Sequence, residues 1–143
     1  MRILLDTCII IDVFQHREPF WEDSYHVMLA IANRHGEGFL TAKSFTDLYY
    51  LTHRATHNDK ETRKILSTLL VPLALLDTAG IDCRKALSLE VGDYEDAVMI
   101  ETAQREGLDC IVTRNQKDYA RSPVPVYTPE EFLRLVSTNE DES

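Results

Sequence analysis

Short apolar runs separated by amphipathic segments dominate this chain. Runs without polar alternation are typical of strands that are covered on both faces, as in parallel sheets. They predict four strands, over residues 2–5, 39–41, 73–76 and 109–113. Val124 to Tyr127 predicts a further strand at a sheet edge, because Pro123 and Pro125 have no N–H to offer a central ladder.

The segments between these runs show helical spacing of apolar residues. In one of them, residues 44–54, Phe45, Leu48 and Leu51 share a face. The other predicted helices span residues 19–35, 59–70, 82–89 and 93–106, with a last one that begins at Thr128-Pro129. An apolar segment from Thr7 to Phe14 follows the first strand. Strands that alternate with helices predict a three-layer α/β/α sandwich around a mostly parallel sheet.

Length and composition fit one compact domain. The chain has 143 residues, of which 44% are hydrophobic and 27% charged, the profile of an ordinary globular domain. We predict a domain over residues 1–137 and a disordered acidic tail over residues 138–143. The three cysteines, Cys8, Cys83 and Cys110, have no CxxC spacing, which favours buried thiols in a reducing compartment.

The amino-terminal segment and the net charge bear on the cellular location and on binding to nucleic acid. Asp6 and Asp12 interrupt the first apolar run, unlike in a signal peptide, and no apolar stretch is long enough to span a membrane. We therefore predict a cytoplasmic protein that does not contact membranes. The net charge of −9 argues against non-specific coating of nucleic acid but is compatible with a nucleic-acid enzyme.

Four acids stand where predicted strands and helices meet: Asp6, Asp47, Asp96 and Asp118. Ligands of open parallel sheets bind beyond the carboxyl ends of the strands, so these side chains could converge there. Converging carboxylates repel one another unless a proton or a cation intervenes. Mg²⁺ and Mn²⁺ prefer such oxygen ligands, and they suit hydrolysis of phosphodiester bonds.

Helix capping is an alternative role for the same acids. The pairs with capping-box spacing are Asp93 with Asp96 and Ser44 with Asp47. Asp6 could cap the segment that follows it, and Asp118 could close a turn. Other chemistries have less support, because the chain has no HExxH pair, no glycine-rich phosphate loop and no G-x-S-x-G motif.

Four segments together resemble the PIN-domain proteins, the nuclease fold of VapC-type toxins. In chain order they are ILLDTCIIID, LTAKSFTDLYYLTHR, DYEDAVMIETAQREGLDCIVTRNQKDY and VPVYTPEEFL. The stretch from Asp93 to Tyr119 is the most specific. The resemblance implies an α/β/α sandwich with a metal-dependent RNA-cleaving site, as in the toxin of a type II toxin–antitoxin pair.

By position, the resemblance makes Asp6, Asp47 and Asp96 the catalytic metal ligands, with Asp118 as the fourth. Many PIN domains carry Glu at the place of Asp47. Cys8 is a departure, since the family commonly has Asn there. That departure supports the alternative of an inactive PIN-like module that binds RNA or protein.

The resemblance also implies supporting residues. Thr113 matches a catalytic hydroxyl residue at the last core strand, and Asp93 matches an additional acid. Asn115 stands where many members have Asp. Arg114 and Lys43 are the predicted RNA-binding residues. The expected partners are an RNA substrate, an antitoxin protein and a second copy of the chain. A third hypothesis, a phospho-acceptor signalling domain, fits less well because the acids are spread onto helix starts.

Overall fold

The structure, a computed structural model, describes residues 1–142 and the side chains of residues 1–138. The strands are β1 (Arg2–Leu5), β2 (Glu37–Thr41), β3 (Leu73–Leu76), β4 (Cys110–Val112) and β5 (Val126–Tyr127). The helices are α1 (Thr7–Phe14), α2 (Trp21–Ala32), α3 (Ala42–Thr56), α4 (Asp59–Leu69), α5 (Gly80–Ala86), α6 (Tyr94–Arg105) and α7 (Pro129–Glu142). A 3-10 helix spans Gln116–Tyr119.

The five strands form one parallel sheet in the order β3-β2-β1-β4-β5. β1 is central, and its last residue, Leu5, is in register with Val112, the last residue of β4. The next residues along both strands, Asp6 and Thr113, therefore emerge side by side at the carboxyl edge of the sheet. The N–H of Asp6 still donates to the Val112 carbonyl at 3.0 Å, which fixes the start of the turn.

Alternate residues of β1 face the two helical layers. Ile3 and Leu5 belong to a core shared with α1, α2, α3 and α7, whereas Leu4 packs in the core that contains Met99 and Ile100 of α6. Helices thus cover both faces of the sheet, and the predicted three-layer α/β/α sandwich is confirmed. The apolar run from Ile3 to Leu5 in β1 follows from this burial on both sides.

The structure assigns a helix to one predicted apolar segment and contradicts one predicted capping box. The apolar segment from Thr7 to Phe14 is a helix, with Ile9, Ile10 and Ile11 all buried. The predicted capping box of Ser44 and Asp47 is wrong. α3 begins two residues earlier, and Thr41 caps it by accepting a hydrogen bond from the Ser44 N–H at 3.1 Å.

Further predictions concern the edge strand, the carboxyl-terminal tail, the cysteines and membrane-spanning segments. The strand predicted near Val124 to Tyr127 is confirmed as the edge strand β5. Apart from Thr138, the predicted tail over residues 138–143 lies outside the residues with described side chains, and it stays a prediction. All three cysteines are free thiols. No helix within residues 1–142 has the length and apolarity needed to cross a membrane.

Candidate active site

Asp6 lies at the carboxyl end of the central strand and is 7% exposed. It occupies the N-cap position of α1, but its side chain makes no capping hydrogen bond. Its Oδ2 accepts instead from the Thr113 hydroxyl at 2.8 Å and from the Tyr119 hydroxyl at 3.2 Å. The capping role considered from the sequence therefore does not explain this carboxylate.

Asp96 approaches the same tyrosine from α6. Its Oδ1 accepts from the Tyr119 hydroxyl at 3.0 Å, so one hydroxyl lies between two carboxylates. Asp93, by contrast, caps α6 by accepting from the Glu95 N–H at 2.8 Å. The predicted capping role is thus confirmed for Asp93, while the Asp96 carboxylate contacts Tyr119.

The electrostatics of this pair call for positive charge. Burial, together with the negative charges of Asp6, Asp93 and Asp118, raises the pKa of Asp96 to about 7, against the hydrogen bond from Tyr119. A hydroxyl has one proton and can donate to only one of the two carboxylates at a time. Among the described side chains, no lysine or arginine forms an ion pair with Asp6 or Asp96. A proton or a bound cation is therefore needed here near neutral pH.

Asp47 reaches the same place from α3. It lines a cavity of about 230 Å³ together with Asp6 and Asp96, as the sequence predicted. Its Oδ2 pairs with the Lys43 ammonium at 2.5 Å, and the same ammonium lies 3.2 Å from Oε1 of Glu95. Lys43 thus neutralises Asp47 from within the chain.

The remaining predicted acid and amide lie at the periphery. Asp118 is exposed in the 3-10 helix and does not line the cavity, although its charge contributes to the raised pKa of Asp96. Asn115 is also exposed, and its backbone N–H donates to the Thr113 hydroxyl at 3.1 Å. The carbonyl of Asn115 accepts from the Asp118 N–H at 2.9 Å, which ties this segment together.

Thr113 and Cys8 lie behind the carboxylates. Thr113 is fully buried and orients Asp6, and the Cys8 sulfur lies 3.8 Å from the Thr113 hydroxyl. Burial, with the nearby charge of Asp6, raises the pKa of the Cys8 thiol to about 12. The thiol is therefore neutral and adds no charge to the site.

Arg114 is engaged in an ion pair away from the cavity. Its Nε donates to Oδ2 of Asp12 at 2.9 Å, and the Asp12 side chain is fully buried. The guanidinium also lies 4.2 Å from the ring centroid of Phe20. These contacts give Arg114 a structural role that its sequence neighbourhood did not indicate.

Tyr119 and Glu95 are the site residues that the sequence predictions omitted. Tyr119 is buried and joins Asp6 to Asp96, while Glu95 shares the Lys43 ammonium with Asp47. The signal for Tyr119 was present as an aromatic residue with a hydroxyl directly after Asp118. Aromatic side chains are usually core residues, so this signal is weak without coordinates.

The donor set at this place suits a hard divalent cation. Within residues 1–138, no group of three acidic, histidine or cysteine side chains is close enough to hold a metal ion. The carboxylates instead use Tyr119 and Lys43 as partners. Asp6 and Asp96 share one hydroxyl, have no Lys or Arg partner among the described residues and line one cavity with Asp47. Carboxylate oxygens of this kind are the ligands that Mg²⁺ and Mn²⁺ prefer.

Comparison with known families identifies the class of protein. The PIN domain family model matches residues 2–117, and the chain belongs to this family. Its members are typically nucleases. Membership also sets aside the phospho-acceptor hypothesis.

Solved structures share the fold. A toxin–antitoxin complex from Klebsiella pneumoniae is 24% identical, with a TM-score of 0.66 over 89% of this chain and 97% of that one. VapBC2 from Rickettsia felis, bound to promoter DNA, is 18% identical, with a TM-score of 0.64 over 90% and 98%. VapC20 from Mycobacterium tuberculosis, described as a sarcin–ricin loop cleaving toxin, is 8% identical, with a TM-score of 0.65 over 84% and 95%. No curated protein matches the chain.

Proposed function

We propose that this protein is an endoribonuclease that hydrolyses RNA phosphodiester bonds with Mg²⁺ or Mn²⁺. The observation that carries the proposal is the convergence of Asp6 and Asp96 on the Tyr119 hydroxyl, beside a cavity that Asp47 also lines. Such a concentration of negative charge destabilises the metal-free protein and is typical of functional sites. Membership of the PIN domain family supports the same reaction class.

The chain's own residues would organise the reaction. Asp6 and Asp96 would hold the cation, with Asp47 joining them from α3 and Asp118 adding negative charge from the periphery. A divalent cation in this place supplies Lewis-acid stabilisation of the scissile phosphate and eases deprotonation of the attacking water. Thr113 keeps the Asp6 carboxylate in one orientation through its 2.8 Å hydrogen bond.

The supporting residues would position the carboxylates that bind the cation or would contact the RNA. Asp93 fixes the start of α6 and so the position of Asp96, and Asn115 holds the Thr113 hydroxyl through its N–H. Lys43 has its ammonium at the cavity, where an RNA phosphate would arrive. Arg114 fits an RNA-binding role less well, because its Nε is committed to Asp12.

The biological setting is part of the same proposal. One of the structures with this fold, from Klebsiella pneumoniae, is a toxin–antitoxin complex, and another is VapBC2 from Rickettsia felis bound to promoter DNA. We propose that this protein is likewise a toxin that acts on RNA in the cytoplasm as a homodimer, and that an antitoxin inhibits it. The structure described as a sarcin–ricin loop cleaving toxin makes a sarcin–ricin loop RNA a useful first substrate.

The test is cleavage of a pool of single-stranded and structured RNA by purified protein. Reactions contain Mg²⁺, Mn²⁺ or a chelator, and they compare the wild type with Asp96→Asn and with Asp23→Asn, an exposed acid of α2 that serves as the control. We expect cleavage that requires the metal, persists in the control and is lost in Asp96→Asn. A folded wild type that cleaves nothing with either metal would contradict the proposal.

The second candidate is an inactive PIN-like module that binds RNA or protein. It is favoured by the ion pair of Lys43 with Asp47 and by Cys8 in the place of the expected Asn. RNA binding by the wild type that is independent of Mg²⁺ and Mn²⁺, with no cleavage, would establish it.

A further inference from the structure

Lys43 forms two ion pairs inside the candidate active site. We propose that Lys43 is an internal counter-cation that holds Asp47 in the metal-free protein and releases it when a divalent ion binds. Lys43 is then a positioning residue that sets the affinity of the site for metal. This inference rests on the proposed function, since it concerns the same carboxylates.

The geometry joins two sides of the cavity. The Lys43 ammonium lies 2.5 Å from Oδ2 of Asp47 on α3 and 3.2 Å from Oε1 of Glu95 on α6. The backbone N–H of Lys43 donates to the Thr78 hydroxyl at 3.3 Å, which anchors the first turn of α3. One side chain thus bridges the starts of two helices that come from opposite layers of the sandwich.

This arrangement differs from the other ion pairs that join residues four positions apart within the described part of the chain. Arg63 with Asp59, and Arg134 with Glu130, each join neighbours on the exposed face of one helix. Lys43 contacts two acids on different helices and lines the cavity that Asp6 and Asp96 line. Burial alone would lower the pKa of Lys43, but the hydrogen bonds to Asp47 and Glu95 outweigh it and raise that pKa. The ammonium is therefore charged at neutral pH.

The two cations compete for one carboxylate. The Lys43 ammonium lies 2.5 Å from Oδ2 of Asp47, so a divalent ion that this carboxylate helps to bind would lie close to a second positive charge. Repulsion between the two cations favours breaking the Lys43 contact when the ion binds. The flexible stem of a lysine allows the ammonium to stay at the rim of the cavity, where it can meet a phosphate. Metal binding and exposure of this ammonium are thereby coupled.

The experiment is a double-mutant cycle on Mn²⁺ affinity, measured from the electron paramagnetic resonance signal of free Mn²⁺. The proteins are the wild type, Lys43→Met, Asp47→Asn and the double variant. We expect Lys43→Met to tighten Mn²⁺ binding about three- to tenfold, the range of a partly screened ion pair plus the loss of a like charge. In the Asp47→Asn background the same change should alter the affinity less than about twofold.

Two further proteins serve as controls. Lys117→Met removes an equal charge beside Asp118, where Lys117 is exposed and does not line the cavity. Asp96→Asn reports on the metal site itself. Circular dichroism confirms that each variant is folded.

Each outcome has one meaning. A wild type that binds Mn²⁺, with loss in Asp96→Asn and a Lys43→Met effect that exceeds Lys117→Met only when Asp47 is present, supports the proposal. The proposal would be overturned by equal effects of the two lysine changes, by weaker Mn²⁺ binding in Lys43→Met, or by an effect that persists without Asp47. None of these outcomes would contradict the metal site itself. If neither the wild type nor Lys43→Met binds Mn²⁺, the proposed function and the exchange both fail. Binding by Lys43→Met alone would support the exchange strongly.

Discussion

Two aspartates near the start of neighbouring helices, Asp82 of α5 and Asp96 of α6, have opposite electrostatic settings. Burial alone would raise the pKa of Asp82, but hydrogen bonds from Arg105, from the Ala79 N–H and from Thr102 outweigh it and lower that pKa. Arg105 reaches Asp82 with two nitrogens, at 2.9 and 3.0 Å. Among the described residues, Asp96 has only the shared Tyr119 hydroxyl as a hydrogen-bond partner, and burial with negative neighbours raises its pKa to about 7.

The difference separates carboxylates that stabilise the fold from those that await a ligand. Asp82 with Arg105, and Asp12 with Arg114, are each neutralised by a guanidinium of the same chain. Asp6 and Asp96 have no such partner among the described residues. A buried acid that is paired with a guanidinium of the chain therefore has a structural role here. Converging acids without such a partner form the candidate active site. Such sites commonly reduce stability in exchange for function.

Removing the charge of a site acid should have the largest effect, and on activity alone. We expect Asp6→Asn to reduce RNA cleavage by about a thousandfold, because several kcal/mol of charge stabilisation is lost. The free energy of unfolding should stay equal or rise, since a repulsive charge is removed. Asp82→Asn is the matched control, with reduced stability and near wild-type cleavage per folded molecule. The reverse pattern in chemical denaturation and cleavage assays would break the comparison.

Removing a structural cation should have the next effect, on stability. We expect Arg114→Met to lower the free energy of unfolding by about 3 kcal/mol, because the fully buried Asp12 loses its partner. Urea denaturation of Arg134→Met, which removes an exposed helix pair, should show less than about 0.5 kcal/mol. An Arg114 variant of normal stability with weak RNA binding would instead assign Arg114 to the substrate.

Tyr119→Phe sharpens the comparison, because it removes the hydroxyl that lies between the Asp6 and Asp96 carboxylates. We expect about tenfold weaker Mn²⁺ binding, the effect of losing a hydrogen bond that orients metal ligands. Stability should fall by about 1 kcal/mol at pH 5, where Asp96 is protonated and a buried hydrogen bond of the Tyr119 hydroxyl is lost. Isothermal titration calorimetry and thermal denaturation measure the two quantities. Unchanged Mn²⁺ affinity would show that the hydroxyl does not orient the pair.

The smallest expected effect is the pH dependence of stability from Asp96. Its pKa in the folded protein, about 7, lies above that of an unfolded Asp, about 4, so the folded state binds the proton more tightly. The stabilisation is complete below about pH 4 and is lost as pH rises through 7. With chelator present, we expect the wild type to lose about 1 kcal/mol more than Asp96→Asn between pH 5 and 8, a value reduced for the partial exposure of Asp96. Parallel pH profiles of the two proteins would contradict this expectation.

The sequence predicted the layers well and the contacts less well. Apolar runs located β1 and β3 with correct bounds, although of the two only β1 is buried on both faces, since Ala74 and Leu75 of the edge strand β3 are exposed. For the helix from Thr7 to Phe14 the sequence predicts only an apolar segment, since a helix with little polar surface has no clear periodicity. The start of α3 was missed because Thr41 could be assigned equally well to the preceding strand.

For the candidate site too, the sequence predicts some residues and misses the contacts between them. Acids at strand and helix ends identified Asp6, Asp47 and Asp96, which the structure brings to one cavity. The hydrogen bonds of Tyr119 and the ion pair of Arg114 with Asp12 join residues far apart in the chain, 102 positions in the latter case. Without coordinates or aligned relatives, spacing carries no information about such pairs.

The most direct test of the central claim is a crystal structure of the protein grown with Mn²⁺, with data collected to record anomalous scattering. We predict an anomalous peak about 2.1 Å from carboxylate oxygens of both Asp6 and Asp96, the distance expected for a small divalent ion with oxygen ligands. Asp47 should have left Lys43 and turned towards the ion. A map without a peak at this pair, from crystals that hold Mn²⁺ elsewhere, would contradict the assignment of the site.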